Sequence, residues 1–502
     1  MKKIIISENP WQTRIAVTIE DRLQNIYFES HVVTSLERSY FKGIVTKVLP
    51  GIQTAFVDIG QEKAGFLHIS EIDREMAFAR MSEATDEPLD RETERRPRRS
   101  SADISKILHE GNPVLVQVNK EPIYEKGAKL TTCFTLPGRY IVLMPNIPRI
   151  GVSKKIEERE ERTRLKELLQ KALPEGMGAI IRTTSENAKE AAIVKDVEFL
   201  VETWNNIQKK FATAEPKEKL HEDLPLVLQV VRDSLDEDVE AVICNTTECQ
   251  NKVLKFVRHI APDQIHKVKL YQEPPNLFDA FNINAQLAEA LEKKVALKSG
   301  GSLIIETTEA MTVVDVNTGK FIGKKSLEDT ILKTNLEASQ EVVRQLRLRN
   351  IGGLIVIDFI DMAISSHRQQ LMRFFEKTLK EEDKFQSVVL KVSEFGLIQM
   401  TRKRSGKTLM QQLMDTCPTC DGSGMIKSLQ TQSDELLDRF KKELQAGAPE
   451  GNIVLRVHPS IFKNITHIEY NTILALEKQF NCHITLESDP TFAIDQYTIE
   501  RK

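Results

Sequence analysis

Two short apolar runs, each ending in acidic residues, dominate the hydrophobic pattern of the chain. Residues 312–319 read Thr-Val-Val-Asp-Val-Asn-Thr-Gly, and residues 352–361 read Gly-Gly-Leu-Ile-Val-Ile-Asp-Phe-Ile-Asp. Short β-branched runs bounded by glycine or polar turns predict buried strands. The 3.6-residue periodicity over residues 327–349 predicts a helix between them. This order is typical of a right-handed crossover that joins two parallel strands.

Asp315 and Asp358 stand at the ends of these two strands. Because parallel strands end at one edge of a sheet, we expect the two carboxylates to converge there. Side chains alternate along a strand, so Asn317 shares the face of Asp315, whereas Asp361 is expected on the face opposite Asp358. Converging carboxylates need a counter-charge, and Mg²⁺ is typically held by one or two carboxylates, water and phosphate oxygens. Helix capping or pairing with arginine is the alternative, but the paired pattern favours a metal site.

A small barrel is predicted over residues 39–137. Five short strand-like runs with glycines at the turns are typical of an OB-fold; they cover residues 41–48, 54–59, 64–69, 114–119 and 129–135. Phe56 and Phe66 lie in two of these runs, with Lys120, Lys126 and Lys129 further along. Aromatic rings that stack on bases, at ~1–3 kcal/mol each, and lysines that meet the backbone suit single-stranded nucleic acid. The spacing is equally compatible with both phenylalanines in the barrel core.

Two groups of basic residues could contact phosphate. Arg182 ends a predicted strand and is followed by Thr183, and a guanidinium fork beside a hydroxyl can hold a phosphate. A second cluster comprises Arg402, Lys403, Arg404 and Lys407, which suits contacts with a nucleic-acid backbone. An ordinary solvated surface explains either group as well.

The six cysteines fall into two kinds. Cys133, Cys244, Cys249 and Cys482 are interpreted as small buried hydrophobic residues. The others form Cys417-Pro-Thr-Cys420-Asp-Gly-Ser-Gly, the pattern of a zinc knuckle. A structural zinc takes four ligands, so this single pair is either redox-active or shares one zinc with a second chain. A redox pair normally opens a helix after a strand, and this one lies between a helical segment and a glycine turn, which favours a shared zinc and a symmetric dimer.

The totals narrow the class of protein. A length of 502 residues predicts three to four domains, and a net charge of −3 leaves any nucleic-acid binding to local surfaces. No apolar stretch approaches the about 20 residues that a membrane span needs, and the first apolar run is too short for a signal peptide. Because the chain has only six cysteines and no secretory signal is recognised, we expect a reducing, cytoplasmic location.

Several long motifs together resemble the ribonuclease E/G family of bacterial endoribonucleases, essentially from end to end. The motifs that carry this resemblance are residues 48–60 (Val-Leu-Pro-Gly-Ile-Gln-Thr-Ala-Phe-Val-Asp-Ile-Gly), 298–301 (Lys-Ser-Gly-Gly), 308–319, 344–362, 399–404 (Gln-Met-Thr-Arg-Lys-Arg) and the CxxC segment.

The resemblance implies a Mg²⁺-dependent enzyme that cuts single-stranded RNA, leaves 5′-phosphate and 3′-hydroxyl ends, and acts in rRNA and tRNA maturation and mRNA decay. By the family pattern, Asp315 and Asp358 hold the magnesium and Asn317 positions the scissile phosphate. Phe56, Phe66 and Lys126 match the positions that contact RNA in the family.

The resemblance also implies a pocket that senses a 5′-monophosphate on the substrate. Gly138, Val142, Arg182 and Thr183 match this pocket. A further basic position, often arginine in the family, is Lys154 here, and lysine is a point charge instead of a fork. The residues after Thr183 also lack an expected glycine, so weaker sensing is expected.

The implied architecture is an α/β multidomain chain. Its predicted parts are a ribonuclease H-like domain split between residues 1–38 and 227–290, the OB-fold RNA-binding domain 39–137, a 5′-sensor region 138–226, a deoxyribonuclease-I-like catalytic domain 291–412, a zinc link 413–425 and a small α/β domain 426–502. Cys417 and Cys420 match a zinc shared between protomers, which implies a homodimer or a dimer of dimers. No scaffold-like tail for degradation partners is expected.

Two other functions compete with an endoribonuclease. A non-catalytic RNA-binding or ribosome-assembly factor could use the same barrel, but it does not require the acids, and Asp315, Asp358 and Asn317 are all present. A CxxC thiol oxidoreductase predicts turnover of dithiol substrates without bound zinc.

Overall fold

The computed structural model describes residues 1–31, 35–72, 103–122, 127–153, 155–318, 327–383, 385–393, 396–403, 406–447 and 451–501. The chain divides into two compact units, Met1–Gln412 and Leu413–Lys502.

Strands and helices are numbered in chain order. The strands are β1 Lys2–Glu8, β2 Gln12–Ile19, β3 Arg22–Ser30, β4 Tyr40–Leu49, β5 Thr54–Asp58, β6 Gly65–His68, β7 Pro113–Lys120, β8 Lys129–Thr131, β9 Leu136–Pro137, β10 Ile141–Met144, β11 Ile150–Val152, β12 Gly178–Ile181, β13 Lys219–His221, β14 Val239–Cys244, β15 Val268–Leu270, β16 Lys294–Ala296, β17 Ser302–Thr307, β18 Met311–Asn317, β19 Gly353–Asp358, β20 Ser387–Val389, β21 Ile398–Arg402, β22 Asn452–Val457, β23 His483–Ser488 and β24 Tyr497–Arg501. The α-helices are α1 Ile104–Ile107, α2 Arg159–Ala172, α3 Glu190–Thr213, α4 Leu226–Ser234, α5 Thr247–Ile260, α6 Leu277–Ala280, α7 Ile283–Glu289, α8 Leu327–Leu348, α9 Ser365–Glu382, α10 Leu409–Leu413, α11 Leu429–Gln445, α12 Pro459–His467 and α13 Tyr470–Phe480.

The first sheet combines the start of the chain with a segment more than 200 residues later. Its order is β15-β14-β1-β2-β3, with β1 parallel to β14 and antiparallel to β2. Ile4 and Ile6 on β1 pack with apolar side chains of α4 and α5. Most side chains of β3 are half-buried and show no clean alternation, so the hydrophobic pattern of the sequence does not predict this strand.

The second sheet closes into the expected barrel. Its order is β13-β4-β5-β6-β8-β7, and a further pairing of β4 with β7 closes the five strands β4 to β8. Val45, Val57, Leu67, Val116 and Leu130 lie in its core. The OB-type barrel predicted from the five strand-like runs is therefore confirmed.

Next to the barrel in sequence, a four-stranded sheet of order β11-β12-β10-β9 packs against α2 and α3. Ile141, Leu165, Ile193 and Trp204 are buried where the strands meet the helices. The helices form because apolar positions recur along one face of each charged sequence.

The central strand–helix–strand unit forms as the sequence predicted. β18 and β19 are parallel neighbours in a six-stranded sheet of order β16-β17-β18-β19-β21-β20, and α8 connects them. Val314, Val316, Ile355 and Ile357 point into a core that α8 and α9 cover. The alternate positions of β18 and β19 therefore lie on the opposite, more exposed face of the sheet.

The second unit is a small α/β fold. Its three-stranded sheet has the order β23-β22-β24, and α11, α12 and α13 contribute apolar side chains to its core. None of the helices in the described ranges combines the length and apolar character that crossing a bilayer requires.

Candidate active site and RNA-binding residues

Asp315 and Asp358 lie side by side at one edge of the six-stranded sheet that contains β18 and β19. They are direct partners in the parallel register of β18 and β19. Asp315 is partly buried and Asp358 is exposed, whereas Val314, Val316 and Ile357 between them point into the core. The convergence predicted from the two apolar runs is therefore confirmed.

Asn317 shares the face of Asp315, as strand alternation predicts. Its Nδ2 donates a hydrogen bond of 2.8 Å to Oδ2 of Asp315. This bond leaves the second N–H of the amide available to another acceptor.

Burial and like charge both act on Asp358. Although the residue is exposed overall, partial desolvation of its carboxyl raises its pKa above the ordinary value, and the charges of Asp315 and Asp361 raise it further. The prediction that Asp361 faces the side opposite Asp358 assumed that the strand continues to Asp361. This assumption is wrong, because β19 ends at Asp358 and strand alternation does not apply to Asp361. Three carboxylates thus influence one edge, which is the electrostatic condition that a divalent cation relieves.

A buried asparagine fixes the segment between Asp358 and Asp361. Asn335 of α8 donates from Nδ2 to the carbonyl of Ile360 at 2.8 Å and accepts from the Ile360 amide at 3.1 Å. Its side chain is inaccessible to solvent. Sequence reasoning missed Asn335, since a lone polar residue in a helical pattern gives no sign of a backbone partner 25 positions away.

The residues after Asp358 also line a cavity of about 490 Å³. Phe359, Met362 and Ile398 form part of its apolar wall, and Asp361 and Arg368 are polar groups in its lining. The guanidinium of Arg368 is held by the carbonyl oxygens of Met362 and Ala363.

The carboxylates at this edge of the sheet suit a hard cation that keeps most of its hydration shell. Within the described ranges, no group of three or more His, Cys, Asp or Glu side chains is arranged to hold a metal ion by itself. Two carboxylates in register are nevertheless the protein contribution that Mg²⁺ uses, with water and substrate phosphate supplying the other oxygens.

Phe56 and Phe66 face each other on the outer surface of the barrel. They are direct partners in the antiparallel register of β5 and β6, and both are half-buried. Their neighbours Ala55, Val57 and Leu67 are the residues that fill the core. The alternative that both rings belong to the barrel core is therefore wrong.

Lysines accompany this pair of rings. Lys129 is the register partner of Phe66 and forms an ion pair of 2.5 Å with the buried Glu71, and Lys120 is exposed at the end of β7. Lys126, which the family pattern assigns to RNA contact, lies outside the described residues.

The residues matched to the 5′-monophosphate pocket gather around the end of β12. Nη1 of Arg182 donates to the carbonyl of Gly138 at 2.6 Å, and the exposed Thr183 follows directly. Val142 on β10 is half-buried and pairs with Ile180 of β12. Lys154 lies outside the described residues.

The loop after Thr183 forms without the glycine that the family pattern suggests. The hydroxyls of Thr184 and Ser185 donate to the carbonyls of Arg139 and Tyr140. Asn187 adopts a left-handed backbone conformation with φ of 58°, which asparagine tolerates better than most residues.

The predicted phosphate contact by Arg402 is wrong. Its side chain is buried, and its guanidinium donates to both carboxylate oxygens of Asp383, at 2.6 Å and 2.9 Å. Lys403 and Lys407 are exposed, whereas Arg404 lies outside the described residues. A basic run in sequence did not distinguish one buried ion pair from its solvated neighbours.

Cys417 and Cys420 lie in a turn, apart from any strand. Cys417 is exposed and Cys420 is half-buried, and both are free thiols. The amide of Gly424 donates to the sulfur of Cys420 at 3.4 Å, and hydrogen bonds from the amides of Cys420 and Thr419 lower the pKa of Cys417. The lowered pKa favours the thiolate form of Cys417, which is the form that binds metal.

The other four cysteines are mostly as predicted. Cys133, Cys244 and Cys249 are buried, but Cys482 is only half-buried. The helix that follows the CxxC segment begins at Leu429, capped by Ser428, so the pair does not open a helix as a redox CxxC does.

Three family models match the chain. The ribonuclease E/G family model covers residues 135–405, the S1 RNA-binding domain model covers residues 39–127, and the model described as the RNase E/G thioredoxin-like domain covers residues 416–502. The chain therefore belongs to the ribonuclease E/G family and is an endoribonuclease.

Individual relatives match over nearly the whole chain. Ribonuclease G of Escherichia coli (strain K12) is 35% identical over 99% of both chains. Ribonuclease G of Haemophilus influenzae is 36% identical, covering 95% of this chain and 94% of the relative. Ribonuclease E of the same organism is 32% identical over all of this chain and 52% of its own length.

Proposed function

We propose that this chain is a Mg²⁺-dependent endoribonuclease that hydrolyses single-stranded RNA to 5′-phosphate and 3′-hydroxyl ends, and that a 5′-monophosphate on the substrate stimulates it. The observation that carries the proposal is the in-register pair Asp315 and Asp358, with Asn317 bonded to Asp315. We further propose that its cellular work is the processing of rRNA and tRNA precursors and the decay of mRNA, and its similarity to ribonucleases G and E supports an RNA substrate.

The roles of the edge residues follow from their geometry. Asp315 and Asp358 would hold the Mg²⁺, which supplies charge stabilisation for the phosphodiester and hydroxide near neutral pH. Asn317 is oriented by its bond to Asp315, so its second amide N–H can donate to a non-bridging phosphate oxygen. Asn335 keeps the backbone after Asp358 in place through both polar groups of Ile360.

The barrel binds the strand that is to be cut. Phe56 and Phe66 present adjacent half-exposed rings, and stacking on them tolerates any base. Lys126 and Lys120 contribute charge for the backbone. Gly138, Val142, Lys154, Arg182 and Thr183 receive the 5′-phosphate.

Assembly completes the proposal. Cys417 and Cys420 provide two thiolates, and a structural zinc needs four ligands. Two protomers therefore share one Zn²⁺ in a cytoplasmic homodimer, or in a dimer of dimers.

The test is cleavage of one short A/U-rich RNA in 5′-monophosphate and 5′-hydroxyl forms, with Mg²⁺ or with EDTA. We expect cutting by the unmodified chain in Mg²⁺, loss of cutting in EDTA, and loss in Asp315→Asn. Glu306→Gln is the matched control, because Glu306 is an exposed acid on the neighbouring strand β17, outside the edge pair.

The outcomes separate the candidate functions. Cutting that persists in Asp315→Asn or in EDTA contradicts the metal site. RNA binding without cutting by the unmodified chain would favour a non-catalytic RNA-binding or ribosome-assembly factor. Equal rates on the two 5′ ends would contradict 5′-end stimulation and leave the nuclease intact.

A further inference from the structure

The guanidinium of Arg182 is anchored through Nη1. Nη1 donates to the carbonyl of Gly138 at 2.6 Å and forms an ion pair of 2.8 Å with Oδ1 of Asp233. Among the described residues, neither Nε nor Nη2 of Arg182 donates a hydrogen bond. The side chain is 25% exposed, so a bonded Nη1 and an Nε–Nη2 edge without hydrogen bonds coexist in one guanidinium.

Asp233 is itself firmly held. Nε and Nη2 of its neighbour Arg232 reach its two carboxylate oxygens at 3.0 Å and 3.4 Å. Burial raises the pKa of Asp233, but the charges of Arg182 and Arg232 outweigh burial and keep that pKa below its usual value. The carboxylate is therefore ionised and fixed at the end of α4.

Arg232 ties the same helix end to the other side of the pocket. Its side chain is 3% exposed, and Nη1 donates to the carbonyl of Pro137 at 2.9 Å. Pro137 precedes Gly138, whose carbonyl also accepts from Arg182. Adjacent residues of α4 thus hold the guanidinium and the backbone opposite it.

The guanidinium of Arg182, when it is held through Nη1, is oriented to bind a phosphate. With Nη1 occupied, Nε and Nη2 form the planar edge that binds two oxygens of a phosphate at once. Thr183, the next residue, is exposed and adds a hydroxyl beside that edge. Without its anchor, a long arginine side chain must lose rotamer freedom when the phosphate binds, which weakens binding.

We propose that Asp233 is a positioning residue of the 5′-monophosphate site, holding Nη1 of Arg182 so that the Nε–Nη2 edge faces the incoming phosphate. The inference rests on the proposed 5′-end stimulation. Asp233 touches no substrate, and nothing in the sequence pattern singles it out, because it lies 51 positions from Arg182 on another element.

The test compares Asp233→Ala with Asp233→Asn, using RNA with a 5′-monophosphate or a 5′-hydroxyl. The readout is the ratio of the two cleavage rates, and in an Asp315→Asn background the ratio of the two dissociation constants from fluorescence anisotropy. Asparagine keeps an acceptor oxygen for Nη1 and removes the opposing charge, whereas alanine removes both. Arg182→Gln marks complete loss of sensing, and Glu237→Ala is the control for an exposed acid in the same segment.

We expect Asp233→Ala to lower the ratio roughly tenfold, as loss of a hydrogen bond that organises a charged group does. Its rate on the 5′-hydroxyl RNA should stay that of the unmodified chain, which a merely misfolded variant could not show. Asp233→Asn should keep the ratio at or above that of the unmodified chain.

Three results would overturn the inference. An unchanged ratio in Asp233→Ala would show that Asp233 does not position the arginine. A raised ratio would show that the carboxylate competes with phosphate. An equal loss in Asp233→Asn would assign the effect to charge instead of position. A ratio of one in the unmodified chain would instead contradict 5′-end stimulation itself.

Discussion

The charges of Asp315 and Asp361 act on the carboxyl of Asp358 at the end of β19. Asp358 carries a raised pKa because burial and the charges of Asp315 and Asp361 disfavour its ionised form. A carboxylate must be ionised to hold a cation, so activity that depends on Asp358 should fall as the pH drops through that raised pKa.

Removing one of the neighbouring negative charges should shift the pH below which activity is lost, which is the acid limb of the pH–rate profile. In Asp361→Asn the pKa of Asp358 falls, so the acid limb of the pH–rate profile should shift to lower pH. The measurement is single-turnover cleavage at saturating Mg²⁺ between about pH 4 and pH 8, a range that spans ordinary and raised carboxyl pKa values. Glu309→Gln, an exposed acid in the turn before β18, should leave the limb in place, and an unmoved limb in Asp361→Asn would contradict the coupling.

The paired rings of the barrel allow a second prediction at this scale. Because Phe66 is half-exposed outside the core, Phe66→Ala should weaken RNA binding by about 1–3 kcal/mol with little loss of folding. Leu67→Ala is its matched opposite, since Leu67 is fully buried and should cost about 2–5 kcal/mol of stability. Fluorescence anisotropy and thermal melting separate the two, and equal melting losses would place Phe66 in the core.

At the scale of elements, a buried ion pair joins the end of α9 to β21. Asp383 follows the last residue of α9, and both it and Arg402 are almost inaccessible to solvent. Arg402 also donates to the carbonyl of Ile351, just before β19. This pair therefore supports the strand that carries Asp358.

Breaking the pair should loosen that strand. Asp383→Asn leaves the Arg402 charge buried without a counter-charge, which costs roughly 3 kcal/mol. Hydrogen–deuterium exchange read by mass spectrometry should become faster in β19 and β21. Glu306→Gln, which removes an exposed ion pair with Lys293, should change exchange little, and unchanged exchange in Asp383→Asn would show that the pair does not support the strand.

Elements with strong local periodicity were predictable from sequence. The crossover from β18 through α8 to β19 and the barrel strands follow from apolar repeats and turn residues, and with them the meeting of Asp315 and Asp358. β3 and α12 were missed because their apolar patterns are short or mixed. Contacts such as Arg402 with Asp383 depend on which elements the fold brings together, and a basic run carries no sign of them.

For the whole molecule, the single CxxC pair predicts how many zinc ions are bound per chain. Two thiolates from each chain and four ligands for each metal predict one zinc for every two chains. Native mass spectrometry with metal analysis should find about half a zinc per chain in a dimer.

The cysteine variants test whether metal and assembly are linked. Cys417→Ser with Cys420→Ser should lose the zinc and shift the protein toward the monomer, whereas Cys482→Ser should retain both. A zinc-free dimer of the unmodified chain whose CxxC thiols reduce a disulfide substrate, and become a disulfide in doing so, would contradict the shared metal and support redox chemistry.

The parallel pairing of β1 with β14 also sets an order of events during synthesis. Lys2 pairs with Val239, so about 10 to 50 s of translation separate the two strands at a synthesis rate of about 5 to 20 residues per second. The barrel has all five of its strands long before then and can close first. The hairpin of β1 and β2 meanwhile presents an unpaired edge, which is a template for association with other chains. The first strand to be synthesised, β1, therefore remains without its parallel partner until β14 has been made. Chains released from the ribosome before β14 is complete should be the ones that aggregate.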